Sequence, residues 1–362
     1  MAPDTPLSLV RAAVREMEGY VPGLQPREGQ RLVKLNTNEN PYTPSPKALA
    51  AIRKASDQSL RLYPDPEASP LRAQAASTYG LRTEQVVCGN GSDEILAILM
   101  RAFVDEGDAI AYFSPSYSLY PVLADVARAR SLTVPLPRVS QRDEAAGIPV
   151  PGLQAKVFFL TTPNSPYGFA FPTEWIARLL ATFPGIVVAD EAYVDFAHES
   201  SLPLLSGNPR LIVVRSMSKE YALAGMRVGL AFSHETLARQ MMKVKDSYNL
   251  GRLSQTAACA ALADADYFAG IRERIIATRE RFSRRLAGLG FTVLPSEANF
   301  LFAVPPAGAS AKLLYEKLFS RGYLLRYFPS PALADGLRIS IGLDEDMDGL
   351  ARAIEEETGG GR

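Results

Sequence analysis

Leu211-Ile212-Val213-Val214-Arg215-Ser216-Met217-Ser218-Lys219-Glu220-Tyr221-Ala222-Leu223-Ala224-Gly225-Met226-Arg227-Val228-Gly229-Leu230 is the stretch from which the rest of the chain can be read. Leu211 to Val214 is an apolar, β-branched run, the pattern of a buried strand. It breaks at Arg215-Ser216-Met217-Ser218, where two hydroxyls stand just before a single lysine, and a second apolar run begins at Val228. Open α/β sheets bind ligands outside the carboxyl ends of their strands, which is where Lys219 falls. Hydroxyl donors and the Arg227 guanidinium suit a phosphate. A lysine made less basic by burial and neighbouring cations can attack a carbonyl. A carbonyl cofactor that carries a phosphate meets both conditions, and pyridoxal 5′-phosphate is such a molecule. Alone, the motif reads more simply as a helix cap at Ser218 followed by surface cations; the rest of the chain overturns that reading.

The 362 residues are enough for a large core and a second, smaller lobe. Thirty-nine basic residues balance 39 acidic ones, so bulk charge draws the chain to neither nucleic acid nor membrane. Two cysteines, Cys88 and Cys259, in apolar settings read as core residues in a reducing compartment, not a disulfide framework. Two histidines, His198 and His234, leave little for a zinc site, and no metal is expected. No signal pattern or membrane-length apolar run is seen, and a cytoplasmic location is expected.

Outward from the lysine, strands alternate with helices. Val86–Cys88, Ala109–Phe113, Leu132–Val134, Lys156–Thr161, Ile186–Ala189, Leu211–Val214 and Val228–Phe232 read as strands. Helices are expected at Pro46–Lys54, Ser69–Tyr79, Ile95–Phe103, Thr173–Thr182 and His234–Asp246. The alternation predicts an α/β fold of three layers around a mostly parallel sheet. A long helical stretch, Ser254 to Leu289, breaks near Asp264. Short strands and helices follow it. Residues 1–45 are expected to form an arm, including an amphipathic helix over 4–18, that completes the smaller lobe. Residues 46–255 form the large domain and 256–362 the small one. The last residues, Gly359 to Arg362, are expected to fray.

Three strand ends carry the chemistry. Asp190 closes a buried strand, where an unpaired carboxylate is costly and a cationic ring nitrogen is a natural partner. Tyr193 and Asn164 can donate to a ring oxygen. Gly89-Asn90-Gly91-Ser92-Asp93 opens a helix whose free amides suit an anion, and Ser92 and Asp93 would join Ser216, Ser218 and Arg227 in a phosphate cup. Tyr117, just past the strand at Phe113, is placed to lie on a flat ring.

These residues resemble the fold-type I pyridoxal-phosphate aminotransferases, with a seven-stranded sheet as in aspartate aminotransferase, and within them the histidinol-phosphate aminotransferase family. The resemblance rests on Asn38-Glu39-Asn40-Pro41, Tyr63-Pro64-Asp65-Pro66, Gly89 to Glu94, Ser114-Pro115-Ser116-Tyr117, Pro163-Asn164-Ser165-Pro166, Asp190-Glu191-Ala192-Tyr193, Ser216 to Arg227, Ser254-Gln255, Glu297-Ala298-Asn299-Phe300 and Gly336-Leu337-Arg338-Ile339. It implies that Lys219 binds the cofactor covalently and later moves the substrate's α-proton. Asp190 would pair with the ring nitrogen and Tyr117 would stack on the ring. Tyr63 would reach the cofactor phosphate across a homodimer interface. Arg338 would bind the substrate's acidic end, with Tyr20, Asn38 and Arg326 around the substrate and its phosphate. The implied reaction takes L-histidinol phosphate and 2-oxoglutarate to imidazole acetol phosphate and L-glutamate, in histidine biosynthesis.

The chain departs from the family pattern twice. Pro163-Asn164-Ser165-Pro166-Tyr167-Gly168 replaces Pro-Asn-Asn-Pro-Thr-Gly, leaving either Asn164 or Ser165 to face the ring oxygen. Arg326-Tyr327-Phe328 replaces the commoner Leu-Arg-Asp, which fits a specificity moved toward aromatic amino acids. An aromatic aminotransferase and a decarboxylase of a phosphorylated amino acid are the alternatives on the same fold. A non-enzymatic pyridoxal-binding regulator is disfavoured, because no basic recognition helix precedes the fold.

Overall fold

The computed structural model describes residues 6–27, 29–150 and 152–359. The expected fraying beyond Gly359 and the expected helical residues 4 and 5 lie outside them.

In chain order the strands are β1 (Val33–Lys34), β2 (Val86–Gly89), β3 (Ala109–Ser114), β4 (Arg130–Pro135), β5 (Val157–Thr161), β6 (Ile186–Asp190), β7 (Leu211–Ser216) and β8 (Gly229–Ser233), then β9 (Thr292–Val293), β10 (Phe300–Val304), β11 (Tyr323–Leu324), β12 (Arg326–Tyr327) and β13 (Leu337–Ser340). The helices are α1 (Ala12–Glu16), α2 (Pro46–Ala55), α3 (Ser69–Tyr79), α4 (Ser92–Phe103), α5 (Leu119–Ala127), α6 (Thr173–Thr182), α7 (Glu235–Val244), α8 (Arg252–Leu262), α9 (Ala265–Gly288), α10 (Ala311–Ser320) and α11 (Asp344–Gly359).

The large sheet has seven strands in the order β2-β8-β7-β6-β5-β3-β4. All neighbours are parallel except β8, which runs antiparallel to β2 and β7. Its central strands are buried along their length, so they carry unbroken apolar runs rather than alternation. One apolar cluster covers each face: Phe158, Leu160, Trp175 and Val213 lie in one, Val87, Ile98, Phe159 and Val214 in the other.

The register brings the chemistry together. Thr161 pairs with Asp190, and Asp190 with Val214, so β5, β6 and β7 end side by side. Because β8 is reversed, its first residue, Gly229, faces both Ser216 at the end of β7 and Gly89 at the end of β2. Arg227, two residues before Gly229, is thereby delivered to the edge where Ser216 and Gly91 stand.

A second, four-stranded antiparallel sheet has the order β12-β13-β10-β9 and its own apolar cluster with α9, α10 and α11. β1 pairs in parallel with β11, and Val33 and Leu35 pack into the same apolar cluster. The arm's helix is shorter than expected: a 3₁₀ turn at Pro6–Leu9 and then α1. The expected division at 255 falls inside α8, which packs on α2 and α3; the chain breaks instead at Asp264.

Candidate active site

A cavity of about 1050 Å³ opens at the carboxyl ends of β5, β6 and β7, between the large sheet and the smaller one. Ser92, Asp93, Tyr117, Asp190, Tyr193, Ser216, Ser218, Lys219, Arg227, Tyr20, Arg326 and Arg338 all line it. Residues as far apart in sequence as Tyr20 and Arg338 therefore share one wall.

Lys219 reaches the cavity from the turn after β7, and Nζ donates to the Thr37 carbonyl at 3.1 Å. Burial, opposed by the Tyr193 hydroxyl and aided by the nearby Arg338 cation, pulls its pKa below the usual lysine value. Asn40 Nδ2 donates to the carbonyls of Lys219 (3.0 Å) and Glu220 (2.8 Å), fixing the backbone that carries the amine.

Asp190 is 3 % exposed. Oδ2 accepts from the Tyr120 hydroxyl at 2.8 Å, while among the described residues Oδ1 has no hydrogen-bond partner. Burial raises its pKa from 3.8 to about 6, against the lowering effect of the Tyr120 bond. The next acid takes the other side of the strand end: Glu191 pairs with Arg215 at 3.2 Å and binds Ser200 and Ser201. Only Asp190 of the two therefore lines the cavity.

At the opposite end, α4 begins at Ser92 with Gly91 as its cap and no capping side chain, so its first-turn amides are left for a ligand. Gly91 has φ +86°, and a Cβ there would strike the Arg227 guanidinium. A Cβ on Gly229 would strike the Gly91–Ser92 backbone. The two glycines leave a cradle between Arg227, the Ser216 and Ser218 hydroxyls and the helix end. Arg227 itself adopts a left-handed backbone (φ 51°), a conformation that costs about 1–3 kcal/mol and recurs at functional sites. It pairs with Asp93 at 3.3 Å, and the other Asp93 oxygen accepts from the Tyr117 hydroxyl at 2.8 Å. That bond sets the Tyr117 ring across the cavity, with Tyr20 edge-on at 6.0 Å.

The third corner is cationic. Arg338, on β13, donates to Ser165 Oγ (3.0 Å) and to the Asn36 carbonyl (2.8 Å), and among the described residues its buried Nε has no partner. Burial and the Arg326 cation lower its pKa. An anion entering here finds an under-satisfied guanidinium in a desolvated wall.

A family model described as "Aminotransferase class I and II" matches residues 30–354. The chain belongs to this family. A histidinol-phosphate aminotransferase of Citrifermentans bemidjiense is 46% identical over 347 residues, covering 96% of this chain and 98% of that protein. One from Microcystis aeruginosa is 42% identical over 349 residues, covering 96% and 98%. The crystal structure of histidinol-phosphate aminotransferase from Sinorhizobium meliloti, in complex with pyridoxal-5′-phosphate, superposes with a TM-score of 0.85 at 27% identity, covering 99% of this chain and 98% of that one.

For a class I and II aminotransferase the expected site residues fall into three groups. Most stand on the cavity wall. Asn164 and Asn38 lie just behind it. Asn164 is turned into its own loop, Oδ1 accepting from the Tyr167 amide (3.2 Å) and Nδ2 donating to the Pro115 carbonyl (3.3 Å); its neighbour Ser165 lines the cavity instead. Asn38 sits behind Tyr193, donating to its hydroxyl at 3.1 Å, and binds Ser340. It orients Tyr193 rather than facing the cavity. Tyr63 forms the third group: it is 76 % exposed, stacked on Tyr248 at 4.4 Å, away from this chain's own cavity. Sequence reasoning missed Tyr120, Asn40 and Thr37. Tyr120 carried a usable signal, since a tyrosine three residues after Tyr117 on a helix reaches the sheet, and a buried hydroxyl needs a partner. Among the described residues no helix is long and apolar enough to cross a membrane, and no His, Cys, Asp and Glu cluster could hold a metal ion.

Proposed function

We propose that this chain is a pyridoxal-phosphate-dependent aminotransferase that converts L-histidinol phosphate and 2-oxoglutarate to imidazole acetol phosphate and L-glutamate. The observation that carries the reading is the unpartnered Oδ1 of buried Asp190, opening on the same cavity as a lysine of lowered pKa. A buried carboxylate with one orphaned oxygen asks for a cation, and a protonated pyridine nitrogen supplies it. The glycine-lined cradle at α4, Arg227 and the two serines asks for a dianion, and the cofactor's phosphate supplies that. The cavity is large enough for the cofactor and a small substrate together.

When bound, pyridoxal phosphate supplies an aldehyde that takes up the amino group and a ring that draws electrons from the substrate's α-carbon. The protein does the rest. Lys219 would hold the cofactor through Nζ and would carry the α-proton on and off the substrate; its lowered pKa leaves the amine free to do so. Asp190 keeps the ring nitrogen protonated, and Tyr120 keeps Asp190 in place. Tyr193, steadied by Asn38, would donate to the ring oxygen, and Ser165, which lines the cavity where Asn164 does not, would be the second donor. Tyr117, on the cavity wall, would pack against the ring. Arg338, Arg326 and Tyr20 bind the substrate's anionic ends, and the use of one cationic corner by both substrates fits a two-step exchange.

The names of the relatives favour histidinol phosphate over an aromatic amino acid as donor, and two arginines near one corner favour a phosphorylated one. Leu60, Leu62 and Tyr63, close together in the chain, are all exposed. We place them in a homodimer interface, with Tyr63 reaching the partner's cavity. The free thiols Cys88 and Cys259 suit a reducing compartment, and we place the enzyme in the cytoplasm. We read the arm and the residues beyond Asp264 as the small lobe, the remainder as the cofactor-binding one. A donor panel tests the reaction: glutamate formation from 2-oxoglutarate with histidinol phosphate, histidine, phenylalanine or threonine phosphate. Histidinol phosphate should give the highest kcat/KM by at least about tenfold. Phenylalanine in first place would move the chain to the aromatic aminotransferases.

A further inference from the structure

The segment between β4 and β5 reads in the sequence as a Pro-rich, charged connection. In the structure it joins the two sheets. Leu136 and Val139 are buried against the large sheet's apolar cluster, and Arg138 between them reaches toward the smaller sheet. Its guanidinium grips Asp335 as a fork, Nη1 to Oδ2 at 2.7 Å and Nη2 to Oδ1 at 2.6 Å. Nη2 also donates to the Ala332 carbonyl at 2.7 Å. The cation lies over two rings, Tyr167 (5.6 Å) from the turn after β5 and Phe302 (5.3 Å) from β10.

Asp335 belongs to the loop between β12 and β13, and this loop is a wall of the active site. Phe328, Pro329, Ser330 and Leu333 all line the cavity. The Phe328 ring lies under both substrate-side guanidiniums, Arg326 at 5.1 Å and Arg338 at 5.5 Å. The loop closes on itself through the Leu333 and Ala334 amides, both bonded to the Ser330 carbonyl. Three contacts reach from it to the large-sheet body: the buried Leu333 side chain, the half-buried Phe328 ring and the Arg138 fork. A bidentate fork with a third bond to a backbone carbonyl sets distance and angle together, which a point charge would not.

We infer that Arg138 and Asp335 are positioning residues for substrate: their fork holds loop 328–336 against the large-sheet body, so that Phe328, Arg326 and Arg338 meet the substrate's anionic groups in one arrangement. The inference rests on the aminotransferase reading of the cavity. Neither residue lines the cavity, so its effect is preorganisation, and its loss appears in substrate affinity before it appears in the chemical step.

The same segment carries its own control. Arg142 pairs with Glu297 at 2.9 Å, also bridging to the smaller sheet, but neither residue lines the cavity or touches the loop. The test uses the cofactor-loaded enzyme. Arg138→Ala and Asp335→Ala should each raise the KM for histidinol phosphate about 5- to 20-fold, with kcat changed less than about threefold. The visible cofactor spectrum should not move. The double variant should be no worse than either single one, and amide exchange in peptides covering 328–336 should speed up. Arg142→Ala should lower the melting temperature and leave KM alone. Arg138→Lys keeps the charge and stem without the fork, and it should raise KM if the alanine variant folds poorly. Parental KM and parental loop exchange in the Arg138 and Asp335 variants would overturn the inference, as would an equal KM rise in Arg142→Ala. If the parent enzyme does not turn over histidinol phosphate, the aminotransferase reading fails, and the exchange measurement, which needs no turnover, still decides the clamp.

Discussion

Replacing Asp190 by asparagine should stabilise the protein without its cofactor and cripple it with the cofactor. In the cofactor-free chain the carboxyl is held from its ordinary 3.8 up to about 6 by burial. An acid whose folded pKa is raised binds its proton more tightly when folded. Its contribution to stability is therefore whole below pH 4 and is lost as pH rises through about 6. Each pH unit between those two values is worth about 1.4 kcal/mol, so at pH 8 the ionised side chain costs up to about 3 kcal/mol. Asparagine keeps an acceptor for the Tyr120 hydroxyl and carries no charge. Asp190→Asn should thus raise the urea midpoint of the cofactor-free protein at pH 8 and leave it nearly unchanged at pH 4. With cofactor the sign reverses. The charge-assisted bond to the ring nitrogen, about 1.5–3 kcal/mol, disappears, and cofactor affinity should fall by about 10- to 100-fold. The assay is a pair of denaturation series and a cofactor titration for parent and variant. A variant that is less stable than the parent at pH 8 without cofactor, or that binds cofactor as tightly, would refute the assignment of Asp190 to the ring nitrogen.

Three further outcomes follow from the same geometry. Lys219→Ala should yield no covalent cofactor adduct on borohydride reduction and mass spectrometry, while the parent carries one equivalent at Lys219. Arg338→Ala should raise the KM for 2-oxoglutarate by about 30-fold or more, the scale of truncating one partner of a buried charge pair, with cofactor affinity within about twofold of the parent. Gly91→Ala should keep the fold but lower cofactor affinity at least about tenfold, because its φ of +86° and the nearby Arg227 guanidinium leave a Cβ no room; a titration of the purified variant measures it.

What the sequence made legible follows from which forces act locally. The central large-sheet strands were readable because a strand buried on both faces must be an unbroken apolar run, whereas the exposed edge strand β4 showed only its Leu132–Val134 part. Asp190 and Lys219 were readable because a polar residue just after such a run stands at a strand end by construction, and Arg227 because it stands just before one. Ser216, Ser218 and Tyr117 follow from the same placement. The directions of side chains within turns were not readable. Asn164 and Ser165 are adjacent, and only the turn's backbone angles decide that the serine lines the cavity while the amide closes the loop. Asn38 failed for a related reason: its loop is dense in hydrogen-bonding groups, and the Tyr193 hydroxyl that claims it lies 155 residues away. Tyr120 sits in an apolar helix and looked like core, because its partner Asp190 belongs to another strand. The boundary at 255 missed because α8 is equally helical on both sides, and what assigns it to the large body is packing on α2 and α3. Residues 135–153 read in the sequence as a Pro-rich, charged connection, since nothing local shows that Arg138 will find a carboxylate 197 residues on.

The central claim is that this cavity takes the amino group from L-histidinol phosphate onto a cofactor held by Lys219, and a single-turnover experiment tests it most directly. The cofactor-loaded enzyme is mixed with histidinol phosphate and no 2-oxo acid. The account predicts loss of the visible absorbance, one equivalent of imidazole acetol phosphate per site, and return of the absorbance when 2-oxoglutarate is added. A spectrum that stays unchanged, with no product released, would contradict it.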